Sequence, residues 1–122
     1  MRTFMLSLSA SLLLLTGATH AAEFKCSGER IERNGSSWGA AKSSGGNYLI
    51  EKGGSTVGYA KKSGSKWSIE NSSSSTLGYL NGSKIDNANN SSWGDLSKAK
   101  SMSDCPDPVA AALWVLKQSG KL

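Results

Sequence analysis

Apolar residues along this chain alternate over short runs and do not recur at helical spacing. Tyr48-Leu49-Ile50 lies between Gly45-Gly46 and Gly53-Gly54. Thr56-Val57-Gly58-Tyr59-Ala60 runs into Lys61-Lys62-Ser63-Gly64, and Lys66-Trp67-Ser68-Ile69-Glu70 sets Trp67 and Ile69 on one face. Thr76-Leu77-Gly78-Tyr79-Leu80 precedes Asn81-Gly82. Period-two runs punctuated by Gly, Asn and Ser predict an array of β-hairpins. Asn81-Gly82 has the composition of a type I′ turn, in which both central residues take positive φ. The polar stretches Ser72 to Ser75 and Asn87 to Ser92 are short and strand-flanked, so they are expected to be turn tips.

The array is repetitive. Its units are Ile31-Glu32…Ser37-Trp38-Gly39, Ile50-Glu51…Thr56-Val57-Gly58, Ile69-Glu70…Thr76-Leu77-Gly78 and Ile85-Asp86…Ser92-Trp93-Gly94. From Ile to Gly the distance is 8, 8, 9 and 9 residues, and successive Ile residues are 19, 19 and 16 apart. Repeat borders fall near 29–47, 48–66, 67–83 and 84–98. Such units cannot bury an apolar face singly, so they stack or close on one another. The expected fold is mainly β, with four repeated β-hairpin units around a pseudo-fourfold axis and a short C-terminal helix.

Within each unit the positions divide by role. Trp38, Val57, Leu77 and Trp93 are expected in the core, with an exposed aromatic surface as the alternative for the two tryptophans. Gly39, Gly58, Gly78 and Gly94 share one phase of the repeat. A common geometric reason is implied, namely close backbone approach near the axis, where a Cβ would collide. Glu32, Glu51, Glu70 and Asp86 face away from their isoleucines and are expected in solvent. A cation-binding ring of the four is the competing reading.

The tail has a different pattern. Asp104-Cys105-Pro106-Asp107-Pro108 reads as a constrained turn, with Asp107 as a cap and Pro108 at the first helical position. A helix is predicted over about 108–118, apolar nearly all round from Ala110 to Leu116, and therefore buried as a plug or cover for the β array. Residues 95–103 are expected to form a short turn or connector before it.

The first residues have the three-part layout of a secretory signal peptide. Arg2 gives the positive start, Phe4 to Leu15 the apolar core, and Thr19 and Ala21 the small residues before a cut after Ala21. The apolar core is short of the roughly 20 residues that span a bilayer. The expected products are a leader, 1–21, and one domain, 22–122, in the periplasm or outside the cell, with no membrane span. Thirteen basic residues remain once Arg2 leaves, against nine acidic ones, for a net charge of +4. Cys26 and Cys105 flank the array, and an even cysteine count in an exported chain predicts a disulfide between them. The alternative, free or metal-binding thiols, lacks both a CxxC pair and a histidine, since His20 leaves with the leader.

The four Ile…Gly units and the Ala- and Leu-rich tail, Ala110–Leu116, make the chain resemble the small bacterial proteins built as a four-fold β-flower. The resemblance implies the architecture of four hairpin petals and brings no catalytic residues. A second resemblance is to periplasmic inhibitors of lysozyme. It rests on size, export, basic charge, the disulfide and the loosely similar turn Ser43-Ser44-Gly45-Gly46-Asn47-Tyr48, and it implies a lysozyme-binding surface.

Catalysis requires a positioned acid, base, nucleophile or metal. No catalytic, cofactor-binding or metal-ligating residue is assigned, and no enzyme is expected. The basic and aromatic group Tyr59, Lys61, Lys62 and Lys66 is the candidate binding face, with a solvated hairpin tip as the plainer reading. The expected function is a non-catalytic binding module for an envelope protein or a polymer such as an acidic glycan, with no nucleic acid and no cofactor. A structural or accessory component of an envelope assembly, and a lysozyme-inhibitor-like protein, are the alternatives.

Overall fold

The computed structural model describes residues 21–122. The expected targeting segment, apart from Ala21, lies outside the described residues. Nine strands form a continuous antiparallel meander: β1 (Phe24–Ser27), β2 (Arg30–Arg33), β3 (Ser36–Ser44), β4 (Asn47–Lys52), β5 (Ser55–Ser63), β6 (Lys66–Asn71), β7 (Thr76–Asn81), β8 (Lys84–Asn87) and β9 (Ser92–Asp95). Helix α1 (Leu96–Met102), the two-residue strand β10 (Ser103–Asp104) and helix α2 (Asp107–Gln118) follow. Each strand of the meander pairs with its neighbours in sequence, and β10 joins the free side of β1 in parallel, completing a ten-stranded sheet. The domain is therefore mainly β with a C-terminal helical region.

Each repeat is built on one cross-strand pair. Ile31 stands opposite Gly39, Ile50 opposite Gly58, Ile69 opposite Gly78 and Ile85 opposite Gly94. All four isoleucines are fully buried. One step beyond each pair the register slips, so that Trp38, Val57, Leu77 and Trp93 are the extra residues of four β-bulges. A bulge bends its strand and increases its twist. Four in the same phase curl the sheet in one direction. The bulged residues are half-buried and pack against the rim of the core.

The glycines make room for backbone. A Cβ on Gly39 would lie 1.9 Å from the carbonyl oxygen of Glu51, one on Gly58 2.7 Å from that of Glu70, and one on Gly78 2.6 Å from that of Asp86. Each glycine thus receives the carbonyl of the acidic residue in the next repeat. Gly94 has no next repeat, and its Cβ would meet the Trp114 ring at 2.7 Å. The crowding comes from the adjoining strand, or from α2.

Helix α2 fills the inside of the curl. It touches β4 to β7, β10 and α1, and Val109 to Leu116 are all buried. Trp114 extends this contact to β9, its ring edge-on to Trp93 at 5.4 Å. Covered on every side, the helix has to be apolar on every side, which Val-Ala-Ala-Ala-Leu-Trp-Val-Leu supplies. It begins one residue earlier than expected. Pro106 occupies the cap position without a side-chain bond, and Asp107 lies inside the first turn, where a carboxylate favours the positive helix end. Residues 96–102, expected as connector, form α1, capped by Asp95 Oδ1, which accepts from Lys98 N at 3.0 Å.

Turn chemistry explains the uneven repeat lengths. Asn34-Gly35 and Gly53-Gly54 close the first two units with positive φ at both residues, as type I′ turns require. In the last two units Asn71 and Asn87 start longer loops. Asn71 Oδ1 accepts from the amides of Ser73 and Ser75, and Asn87 Oδ1 from those of Asn89 and Ser91. That loop accounts for 9 residues in place of 8 from Ile to Gly. The hairpin from β7 to β8 is shorter than its counterparts, which reduces the last interval to 16. Its turn is Gly82-Ser83, with Asn81 still paired to Lys84 in the ladder. Only Gly82 of Asn81-Gly82 has positive φ, the glycine placement of a type II′ turn and not the expected I′.

Two ties join the ends of the described chain. Cys26 and Cys105 form a disulfide across 79 residues of sequence. Glu23, just before β1, accepts from Arg33 Nε at 2.7 Å and from Lys117 Nζ near the end of α2.

Candidate binding face

With the inner face of the sheet spent on α2, the outer face is what the meander presents. Its cross-strand rows follow from the register. One runs Lys42, Leu49, Tyr59, Glu70; the next runs Lys61, Ser68, Tyr79, Asp86. Aromatic, basic, acidic and hydroxyl side chains therefore alternate across β3 to β8.

The repeat acids are half-buried at this surface and do not stand free in solvent. Glu51 pairs with Lys42 at 3.1 Å, Glu70 with Lys61 at 3.0 Å and Glu32 with Arg30 at 3.3 Å. Glu70 Oε1 is buried, and the Lys61 ammonium reaches it off the hydrogen-bonding direction, so the contact is chiefly ionic. Ion pairing gives three of the four acids a separate cation and does not gather them into a ring. Among the described residues no three His, Cys, Asp or Glu side chains come together as a metal-binding group.

The four residues of the candidate face are divided between the two sides of the sheet. Tyr59 and Lys61 share the outer side, with the Lys61 ammonium 4.7 Å from the Tyr59 ring centroid. Lys66 joins them, its ammonium 4.4 Å from the centroid of Tyr79. Lys62 is directly opposite Trp67 on the inner side and sits over that ring at 5.2 Å. The adjacency of Lys61 and Lys62 in sequence is what separates them, because successive strand residues point to opposite faces. Tyr79 belongs to the face and was not singled out by the sequence; its signal was its position after Gly78, matching Tyr59 after Gly58.

A shallow concavity of about 270 Å³ lies beside Tyr59 and Lys61, completed by Tyr48, Leu49, Asn47 and Ser44. Two larger hollows, of about 510 and 550 Å³, lie near α1. Both include Ala21 in their walls, the residue after which the leader is expected to be cut.

The carboxyls with displaced acidity are elsewhere. Glu23 is held below its ordinary value chiefly by the hydrogen bond from Lys117, with Arg33 acting in the same direction. Asp95 is lowered by the hydrogen bonds from the Ser97 hydroxyl and the Lys98 amide. Both serve structure, one tying the chain ends and the other capping α1. The outer face presents ammonium charge, phenol and hydroxyl hydrogen-bonding groups, and half-buried rings.

Among the described residues no helix is long and apolar enough to cross a membrane. No protein-family model, curated protein or solved structure matches the chain.

Proposed function

We propose that this chain is a small exported binding module, without catalysis of its own, that holds an envelope polymer or protein on the outer face of its sheet. The observation carrying this reading is the division of labour between the two faces. The isoleucine-bearing part of the inner face and α2 are consumed by the core, whereas the outer face keeps two tyrosines, Tyr59 and Tyr79, each with a lysine against its ring. Tyrosine offers contact area at low entropic cost together with a hydroxyl for hydrogen bonding. The disulfide supports an oxidising compartment. We read the four bulged Ile–Gly units as petals about a pseudo-fourfold axis, which makes the outer face a repeated surface suited to a repeating ligand.

Affinity capture from a native envelope extract tests this reading. The oxidised protein is compared with a Lys61→Ser/Lys66→Ser variant and with Lys62→Ser, whose side chain is on the inner side. A component retained by the protein and by Lys62→Ser, but lost by the double variant, is the expected result. Retention of nothing, with elution as a defined oligomer, would replace this function with a structural role in an assembly.

A further inference from the structure

A second basic row crosses the outer face nearer the hairpin turns. Lys66 on β6 is directly opposite Asn81 on β7, and Asn81 is directly opposite Lys84 on β8. The three side chains share one side of the sheet because directly paired residues do. Asn81 and Lys84 are exposed. Among the described residues neither Lys66 nor Lys84 forms an ion pair, unlike Lys42 and Lys61 beside them. Two ammonium groups that form no ion pair among the described residues therefore flank the exposed Asn81 amide.

Their spacing selects among anions. Lys66 and Lys84 are two strands apart, about 9.5 Å at the ordinary spacing of a sheet. Each strand of a nucleic-acid duplex carries a charge roughly every 3.4 Å of helix axis, so most of its phosphates would find no cation here. Some would face Asp86 in the adjoining row and Glu70 in the row beyond it. A polymer with widely spaced charges avoids both costs. Between the two lysines the Asn81 amide, and in the adjoining row the Ser68 hydroxyl and the Tyr79 phenol, offer neutral donors and acceptors suited to sugar hydroxyls. The contact of Lys66 with the Tyr79 ring holds that ammonium near the row before a ligand arrives.

Building on the binding-module reading, we infer that the ligand is a linear acidic polysaccharide lying across β6, β7 and β8. Its carboxylates meet Lys66 and Lys84, and a neutral sugar lies over Asn81 between them. Binding is charge-assisted at two points and weakens as salt screens them.

Hyaluronan oligosaccharides, linear chains with one carboxylate for every two sugars, are the probe. They are titrated calorimetrically into the oxidised protein at low and at moderate salt. The expected result is saturable, salt-sensitive binding. It weakens by at least about ten-fold in a Lys66→Ser/Lys84→Ser variant, as loss of two charge-assisted contacts requires. A Lys52→Ser/Lys121→Ser variant of equal net charge retains it. Absence of binding, equal loss in both variants, or tighter binding of single-stranded DNA than of hyaluronan overturns the inference. If the titration fails while the envelope capture remains sensitive to Lys61 and Lys66, the ligand class is wrong and the binding module stands. Failure of both removes both.

Discussion

Glu23 and Lys117 are joined by an ion pair although 94 residues separate them in sequence. The carboxylate also accepts from Arg33 at the end of β2, so one side chain ties the start of the sheet to the end of the central helix. Its acidity is shifted below the ordinary value of 4.5, first by Lys117. A carboxyl that is more acidic when folded stabilises the fold above its unfolded value, and that stabilisation is lost as pH falls through the folded one. Denaturant titrations should show the Glu23→Gln variant less stable at pH 7 by about 1 kcal/mol, the scale of a shielded ion pair. The gap should narrow below pH 4.5 and close once Glu23 is protonated in both states.

The Cys26–Cys105 bond should contribute more than any single noncovalent tie. It closes a loop of 79 residues in a domain with a modest core. Cys26→Ser/Cys105→Ser is expected to lose about 2–5 kcal/mol, mostly through the unfolded chain. Chemical denaturation of the double variant beside the oxidised protein measures it, and an unchanged midpoint would refute the expectation.

Alanine at the repeat glycines should destabilise in a definite order. Gly39→Ala meets a backbone carbonyl at 1.9 Å, Gly58→Ala and Gly78→Ala meet one at 2.7 and 2.6 Å, and Gly94→Ala meets only the Trp114 side chain. Backbone yields less than a ring edge. The first three are expected to cost about 2–4 kcal/mol, in the range of overpacked sites, and Gly94→Ala less. Thermal midpoints of the four variants test the ranking.

The long turns offer a gain as well as a loss. Asn71→Ala or Asn87→Ala removes two side-chain acceptors for turn amides and should cost about 1 kcal/mol each. Ser74 has a φ of 65° in the same kind of loop. Ser74→Gly relieves that left-handed conformation and is expected to stabilise by roughly 0.5–1 kcal/mol. Melting curves of the two substitutions should move in opposite directions.

Much of the architecture was legible in the order of residues. Alternation located the strands, the shared phase of Ile and Gly located the hairpins, the cysteines paired, and the all-round apolar tail was a buried helix. The bulges were not legible, because an extra residue shifts the alternation without leaving a distinctive side chain; tryptophan, valine and leucine all serve. Helix α1 was missed because its apolar stripe is only three residues, Leu96, Ala99 and Met102, of which Ala99 alone is fully buried, although Asp95 before it is a good cap. The candidate face was only partly legible. Sequence proximity gathered Lys61 with Lys62, whereas the sheet puts them on opposite sides, and cross-strand register, which no local pattern displays, brings Lys84 into line with Lys66.

The placement of α2 sets a timetable for assembly. Pairing in the meander is between sequence neighbours, so hairpins form early and with little loss of chain freedom. Their inward isoleucines have nothing to cover them until the helix arrives, and it follows all nine meander strands in the chain. Until α2 has formed, the inward face of the meander has no apolar cover from it. The chain condenses only when the final segment folds back into the middle and Cys105 comes within reach of Cys26.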